Sequence, residues 1–203
     1  MSAWWVLLML SAVFSRSVLG TCPHVSSIPV QPNFDFDKFA GDGLKWNMVL
    51  YNKIVPVEGL NTALNESNAF SKFSRDRSNA RVGRTVGRIR LGSLSFCTNQ
   101  KSRIENEPGE PAKLRQTFNN PFTKSTFSFN FWILYTDYEN LSVVYACQKV
   151  LPGGTCHPDH IYFWTFSRGT RHTSEELKKV TDLAISVCKT TLRRINHETP
   201  CSL

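Results

Sequence analysis

Apolar positions along the chain fall into short runs separated by turn-forming residues, the pattern of an antiparallel all-β fold. Eight runs qualify as strands: Lys45 to Tyr51, a weaker run at Ala69 to Ser74, Arg81 to Leu91, Leu94 to Arg103, Lys113 to Phe118, Thr126 to Tyr135, Leu141 to Cys147 and Ile161 to Ser167. In the sixth, strict alternation puts Phe127, Phe129, Phe131, Ile133 and Tyr135 on one expected face and Ser128 and Asn130 on the other. In the third, Gly83, Thr85, Gly87, Ile89 and Leu91 are expected to face inward, leaving Arg84, Arg88 and Arg90 in an outward row. Pro152-Gly153-Gly154 reads as a hairpin turn that brings Cys147 and Cys156 nearly face to face.

One segment has helical rather than strand periodicity. Thr173 and Glu176 form a capping box, after which Leu177, Val180, Ala184, Val187, Cys188, Thr191 and Ile195 recur at helical spacing. Lys178, Lys179, Lys189 and Arg193 take the other side, and the helix is expected to run to about Arg194. Eight antiparallel strands followed by one helix predict a closed up-and-down barrel with the helix packed outside, because closure removes exposed sheet edges. A two-sheet sandwich is the alternative. A barrel of that size can enclose one small ligand.

Composition narrows the class. With 203 residues, 41% hydrophobic, 20% charged and 12% aromatic, the chain fits one globular domain and is too apolar for a disordered or coiled-coil protein. Residues 1–20, with the run Trp4 to Leu10 and the small-residue exit Val18-Leu19-Gly20, are expected to be a signal peptide, which leaves a domain at 21–203 in a secreted, extracellular protein. No second apolar run is long enough to cross a membrane as a helix. Six cysteines in such a chain imply three disulfides. The run Cys156-His157-Pro158-Asp159-His160 lacks a second ligand pair, so no metal is expected. Asn65-Glu66-Ser67 and Asn140-Leu141-Ser142 are glycosylation sequons, at Asn65 and Asn140. The formal net charge of +8 favours anionic partners, but the chain has no nucleic-acid recognition motif.

Several motifs resemble the lipocalin family across nearly the whole mature chain. They are Asn33-Phe34-Asp35 with Phe39-Ala40-Gly41, Pro111-Ala112-Lys113-Leu114, Trp132 through Tyr138 with its Thr-Asp-Tyr turn, and Phe166-Ser167-Arg168. The segments Gly87 to Leu91 and Gly153 to Cys156 are most similar to the retinol-binding branch; Asp137-Tyr138-Glu139-Asn140 also resembles the apolipoprotein D and bilin-binding branch. The family's Gly-x-Trp signature becomes Gly41-Asp42-Gly43-Leu44-Lys45-Trp46, so either Trp46 follows an insertion or Gly43 replaces the tryptophan. With the insertion, which is preferred, Trp46 closes the barrel floor beneath Arg168.

The first branch implies the pairings Cys22 with Cys188, Cys97 with Cys201 and Cys147 with Cys156; the second would pair Cys22 with Cys147, and the hairpin favours the first. The resemblance further implies a cavity lined by Thr85, Gln116, Phe118, Phe129, Phe131, Val144, Tyr162 and Trp164. Its implied function is to carry a small hydrophobic ligand, foremost a retinoid, with a receptor or carrier protein as a further partner. The alternatives are a carotenoid or bilin carrier, and a defence or signalling protein acting through its basic surface. With every cysteine assigned a partner there is no free nucleophile, and no enzymatic activity or cofactor is expected.

Overall fold

The computed structural model describes residues 22–53, 65–91, 93–119, 125–169, 172–197 and 201, so the expected signal peptide at 1–20 lies outside the described residues. A short helix, α1 (Phe36–Ala40), precedes strands β1 (Lys45–Tyr51), β2 (Asn65–Arg75), β3 (Arg81–Leu91), β4 (Leu94–Glu107), β5 (Glu110–Asn119), β6 (Thr126–Thr136), β7 (Leu141–Cys147) and β8 (Ile161–Ser167). Helix α2 (Ser174–Cys188) and a two-residue strand, β9 (Arg193–Arg194), complete the order. Each of β2 to β7 pairs antiparallel with the next, β8 pairs with β1, and β1 returns to β2, which closes an eight-stranded barrel. The sandwich alternative is thereby excluded.

Two apolar layers follow from strand alternation. The inner one fills the barrel with Phe73, Leu114, Phe131, Ile133, Trp164 and their neighbours. The outer one sits between the barrel wall, α2 and the N-terminal arm, where Trp132, Tyr145 and Phe163 meet Val180, Ala184 and Ile28. Thr173 caps α2 as expected, its hydroxyl accepting from Glu176 N while Glu176 returns a carboxylate to Thr173 N.

Disulfides fasten both ends of the chain to this body: Cys22 to Cys188, Cys97 to Cys201, and Cys147 to Cys156 across the β7–β8 hairpin. This is the pairing that the retinol-binding branch implies.

Three expectations need correction. Tyr135 does not share the inner face of β6, because a bulge between Ile133 and Tyr135 reverses the alternation. Tyr135 instead points outward, and its hydroxyl accepts from Lys179 Nζ at 2.8 Å. Lys179 remains exposed while its ammonium reaches the barrel wall at Tyr135.

Helix α2 stops at Cys188, with Lys189 in the left-handed region at φ 41°, well short of Arg194. Arg193 and Arg194 are extended and pair with Tyr51 and Leu50 of β1. Because β1 meets β2 only from Lys45 to Asn47, the barrel seam parts above that point, and the chain after α2 enters the gap. Ile195 N donates to Val49 O, Asn68 N donates to Asn196 O, and Ile195 joins the inner cluster.

The strands also outrun their expected ends. β4 reaches Glu107 and β5 begins at Glu110, joined through a tight turn at Gly109 (φ 76°). β2 starts at Asn65 rather than Ala69.

Candidate functional site

The barrel interior has one aromatic wall and one polar wall. On β5, β6 and β8 the inward residues include the aromatic side chains Phe118, Phe127, Phe129, Phe131, Tyr162 and Trp164. Phe118 stacks on Phe127 at 5.2 Å and on Phe129 at 5.5 Å between centroids. Trp164 lies 5.6 Å from Phe129, 6.1 Å from Phe131 and 5.8 Å from Tyr162. Such ring-to-ring contacts hold the wall rigid and add to the area term of burial.

On β2 to β5 the opposite wall is hydroxylic. Ser71 Oγ and Thr85 Oγ1 share a hydrogen bond at 3.0 Å, and Gln116 Nε2 donates to Ser102 Oγ at 2.8 Å. Gly83 makes the second contact fit: a Cβ there would meet Ser102 Oγ at 2.6 Å and Gln116 Nε2 at 3.1 Å. A slot with this division suits an elongated apolar molecule that carries a polar group at one edge.

One end of the slot is closed. Trp46 is fully buried, its Nε1 donates to Phe39 O at 2.8 Å, and its ring stacks on Phe39 at 5.1 Å. Arg168 donates from Nη1 to Leu44 O and from Nη2 to Phe39 O. Burial pulls this guanidinium down to about 10, still fully charged at neutral pH. Trp46, not Gly43, thus occupies the floor, and Gly43 sits in the preceding turn at φ 77°. Toward the other end, Trp164 Nε1 donates to Lys53 O at 3.3 Å and Tyr162 OH donates to Gln148 Oε1 at 3.0 Å. Burial raises the Tyr162 phenol above its ordinary range, so it stays neutral.

Strand register brings Thr85, Gln116, Phe118, Phe129, Phe131, Val144, Tyr162 and Trp164 together inside the barrel. Sequence reasoning missed Ser71 and Ser102, which give the polar wall its hydroxyls, and the inward Phe73, and it placed Phe127 on the inner face of β6 without counting it in the lining. The available signal was register: Ser71 lies opposite Thr85, Ser102 opposite Phe118 and Gly83, and Phe73 opposite Gly83. All six cysteines are disulfide-bonded, and among the described residues no group of three or more His, Cys, Asp or Glu could hold a metal. Asn140 is exposed in the β6–β7 turn at the closed end, whereas the side chain of Asn65 lies outside the described part of the structure.

No family model matches the chain. Among curated proteins it is 30% identical over 182 residues to Retinol-binding protein 4-A of Oncorhynchus mykiss, covering 88% of this chain and 97% of that protein. It is 28% identical over 177 residues to Purpurin of Gallus gallus, covering 84% of each. Among solved structures it resembles insecticyanin from the tobacco hornworm Manduca sexta, with a TM-score of 0.59 and 17% identity over 88% of this chain and 87% of that one. Lobster apocrustacyanin A1 matches with a TM-score of 0.59 and 16% identity over 90% of this chain and 93% of that one. At these identities the structural likeness concerns the fold alone.

Proposed function

The chain belongs to the lipocalin family, and from that membership we propose that it is a secreted, non-catalytic carrier that holds a small hydrophobic ligand, foremost a retinoid, inside the barrel. The observation that carries this reading is the continuous aromatic wall from Phe127 through Phe118, Phe129 and Trp164 to Tyr162, set opposite buried hydroxyl and amide groups. A flat polyene presents two apolar faces to such a slot and one polar end to Gln116 or Tyr162. Its burial at about 25 cal/mol per Å² provides ample gross driving force, from which the entropy of association removes a large part.

Two features support extracellular carriage. The three disulfides suit an oxidising compartment, and the apolar leader at 1–20 would deliver the chain there. Asn65 and Asn140 are proposed glycan acceptors. Titration of the purified protein with retinol tests the reading: tryptophan emission should fall and retinol emission should rise together, saturating at one ligand per chain. A folded protein that shows neither change overturns the retinoid assignment, and one that also binds no carotenoid, bilin or fatty acid overturns the carrier reading.

A further inference from the structure

Lys45, Lys72, Arg84 and Lys101 are direct cross-strand neighbours on four successive strands. Lys45 pairs with Lys72, Lys72 with Arg84, and Arg84 with Lys101. All four face outward, since the residues beside them in sequence, Trp46, Ser71, Gly83 and Ser102, belong to the inner face. Like charges placed directly opposite each other destabilise a sheet. The fold carries that cost four strands wide, over a row of roughly 14 Å at the usual strand spacing of about 4.8 Å.

Among the described residues no carboxylate neutralises the row. Each of the four is exposed or half-exposed, and among the described residues none is in salt-bridge contact with a carboxylate. The contacts they do make preserve charge and set direction. Lys45 Nζ stands 4.6 Å above the Phe70 ring, and Arg84 Nε donates to the neutral Asn99 Oδ1 at 2.8 Å. By contrast Arg103, further along β4, is paired with Glu105 at 3.3 Å.

We propose that this row is a docking surface for a linear sulfated polysaccharide lying across strands β1 to β4. A line of cations on a convex wall matches a flexible chain with repeated anionic groups, and lysine ammoniums beside a guanidinium fork supply point-charge and bidentate contacts to sulfate. A protein partner would want an apolar centre. Among the described residues the large exposed apolar side chains are Leu94, Phe96, Val150, Ile185 and Leu44, and only Leu44 adjoins the row. A lipid surface is disfavoured for the same reason, since interfacial binding needs an apolar face to bury. The site lies on the outer wall and does not depend on what fills the barrel.

The test is binding of the mature full-length protein to immobilised heparin across a salt series. Affinity should fall about 100-fold between 50 and 200 mM salt if four cations engage. Lys72→Ser with Lys101→Ser should weaken binding at least tenfold at 50 mM, while Lys149→Ser with Lys189→Ser, which removes equal charge elsewhere, should change it less than twofold. If the first pair fails to fold by near-UV circular dichroism, Lys72→Gln with Lys101→Gln takes its place. Equal losses in the two double variants, or no binding to heparin, overturn the proposal. So does equal or tighter binding to duplex DNA, to unsulfated hyaluronan, or to vesicles of phosphatidylcholine and phosphatidylserine in equal parts.

Discussion

The guanidinium of Arg168 lies over the Trp46 indole, its Cζ 3.8 Å from the ring centroid. The contact joins the start of the first strand to the residue just after the eighth, so it fastens the β1–β8 closure at the barrel floor. It combines a desolvated cation–π contact with two charge-assisted bonds to the carbonyls of Phe39 and Leu44.

Arg168→Met keeps the aliphatic stem and removes the guanidinium. It should lower unfolding stability by about 2 to 3 kcal/mol in urea titration, taking the side-chain donor from Leu44 O and leaving Phe39 O with Trp46 Nε1 alone. Gly41→Ala should reproduce part of the loss, because a Cβ there would sit 2.6 Å from Arg168 Nη2 and the residue is held at φ 56°. Losses below ~1 kcal/mol for Arg168→Met would mean that water replaces the guanidinium at little cost.

Trp164 and Trp132 separate ligand effects from packing effects. Trp164 faces the interior beside Phe131, whereas Trp132 faces outward against Tyr145 and under Lys113 Nζ. Trp164→Ala should abolish most of the retinol-induced quenching and weaken binding at least tenfold. Trp132→Ala should cost about 3 kcal/mol in stability and leave the affinity of the folded fraction unchanged.

The disulfides should rank by the length of chain they close. Sequence separations are 166 for Cys22 to Cys188, 104 for Cys97 to Cys201 and 9 for Cys147 to Cys156. Loop entropy then predicts that the Cys147→Ser with Cys156→Ser variant loses least, below about 3 kcal/mol, and that the other two double-serine variants lose more, around 4 to 5 kcal/mol. Thermal melts of the three variants under oxidising conditions check the order.

Two histidines make the fold acid-sensitive before its carboxylates do. His172 and His197 both titrate below the ordinary histidine range because burial penalises their charged form. For His172 the nearby Glu176 opposes this, while His197 and Arg194 reinforce it. The unfolded chain therefore takes up these protons first. Stability from this source is complete above about pH 6.5 and declines as pH falls below it. Urea midpoints should drop between pH 7.5 and 5, and His172→Gln with His197→Gln should flatten that drop.

What was legible in the chain, and what was not, follows from side-chain contrast. β6 announced itself because Phe127, Phe129 and Phe131 alternate with Ser128 and Asn130, but the bulge after Ile133 is an extra backbone residue that no side chain marks. β4 alternates Thr98, Gln100 and Ser102 inward with Asn99, Lys101 and Arg103 outward, so both faces are polar and its inner wall gave no period-two signal. Thr191 and Ile195 kept helical spacing beyond Cys188, and Ile195 is indeed buried, but in the barrel seam rather than on α2. The four-cation row was visible only as scattered basic residues, since three of its strands had to be placed in register before the fourth gave it length.

The two long disulfides also decide how the molecule answers a mechanical load. Tension applied between Cys22 and Cys201 crosses the first bridge to Cys188 and then runs only through the stretch from Cys188 to Cys201. That stretch contains the Arg193 to Asn196 segment wedged between β1 and β2. The eight strands bear none of the extension. Pulling would peel the wedge from the seam within the roughly 45 Å that so short a stretch can span, and the side of the barrel would open while its disulfide-bounded body stayed intact.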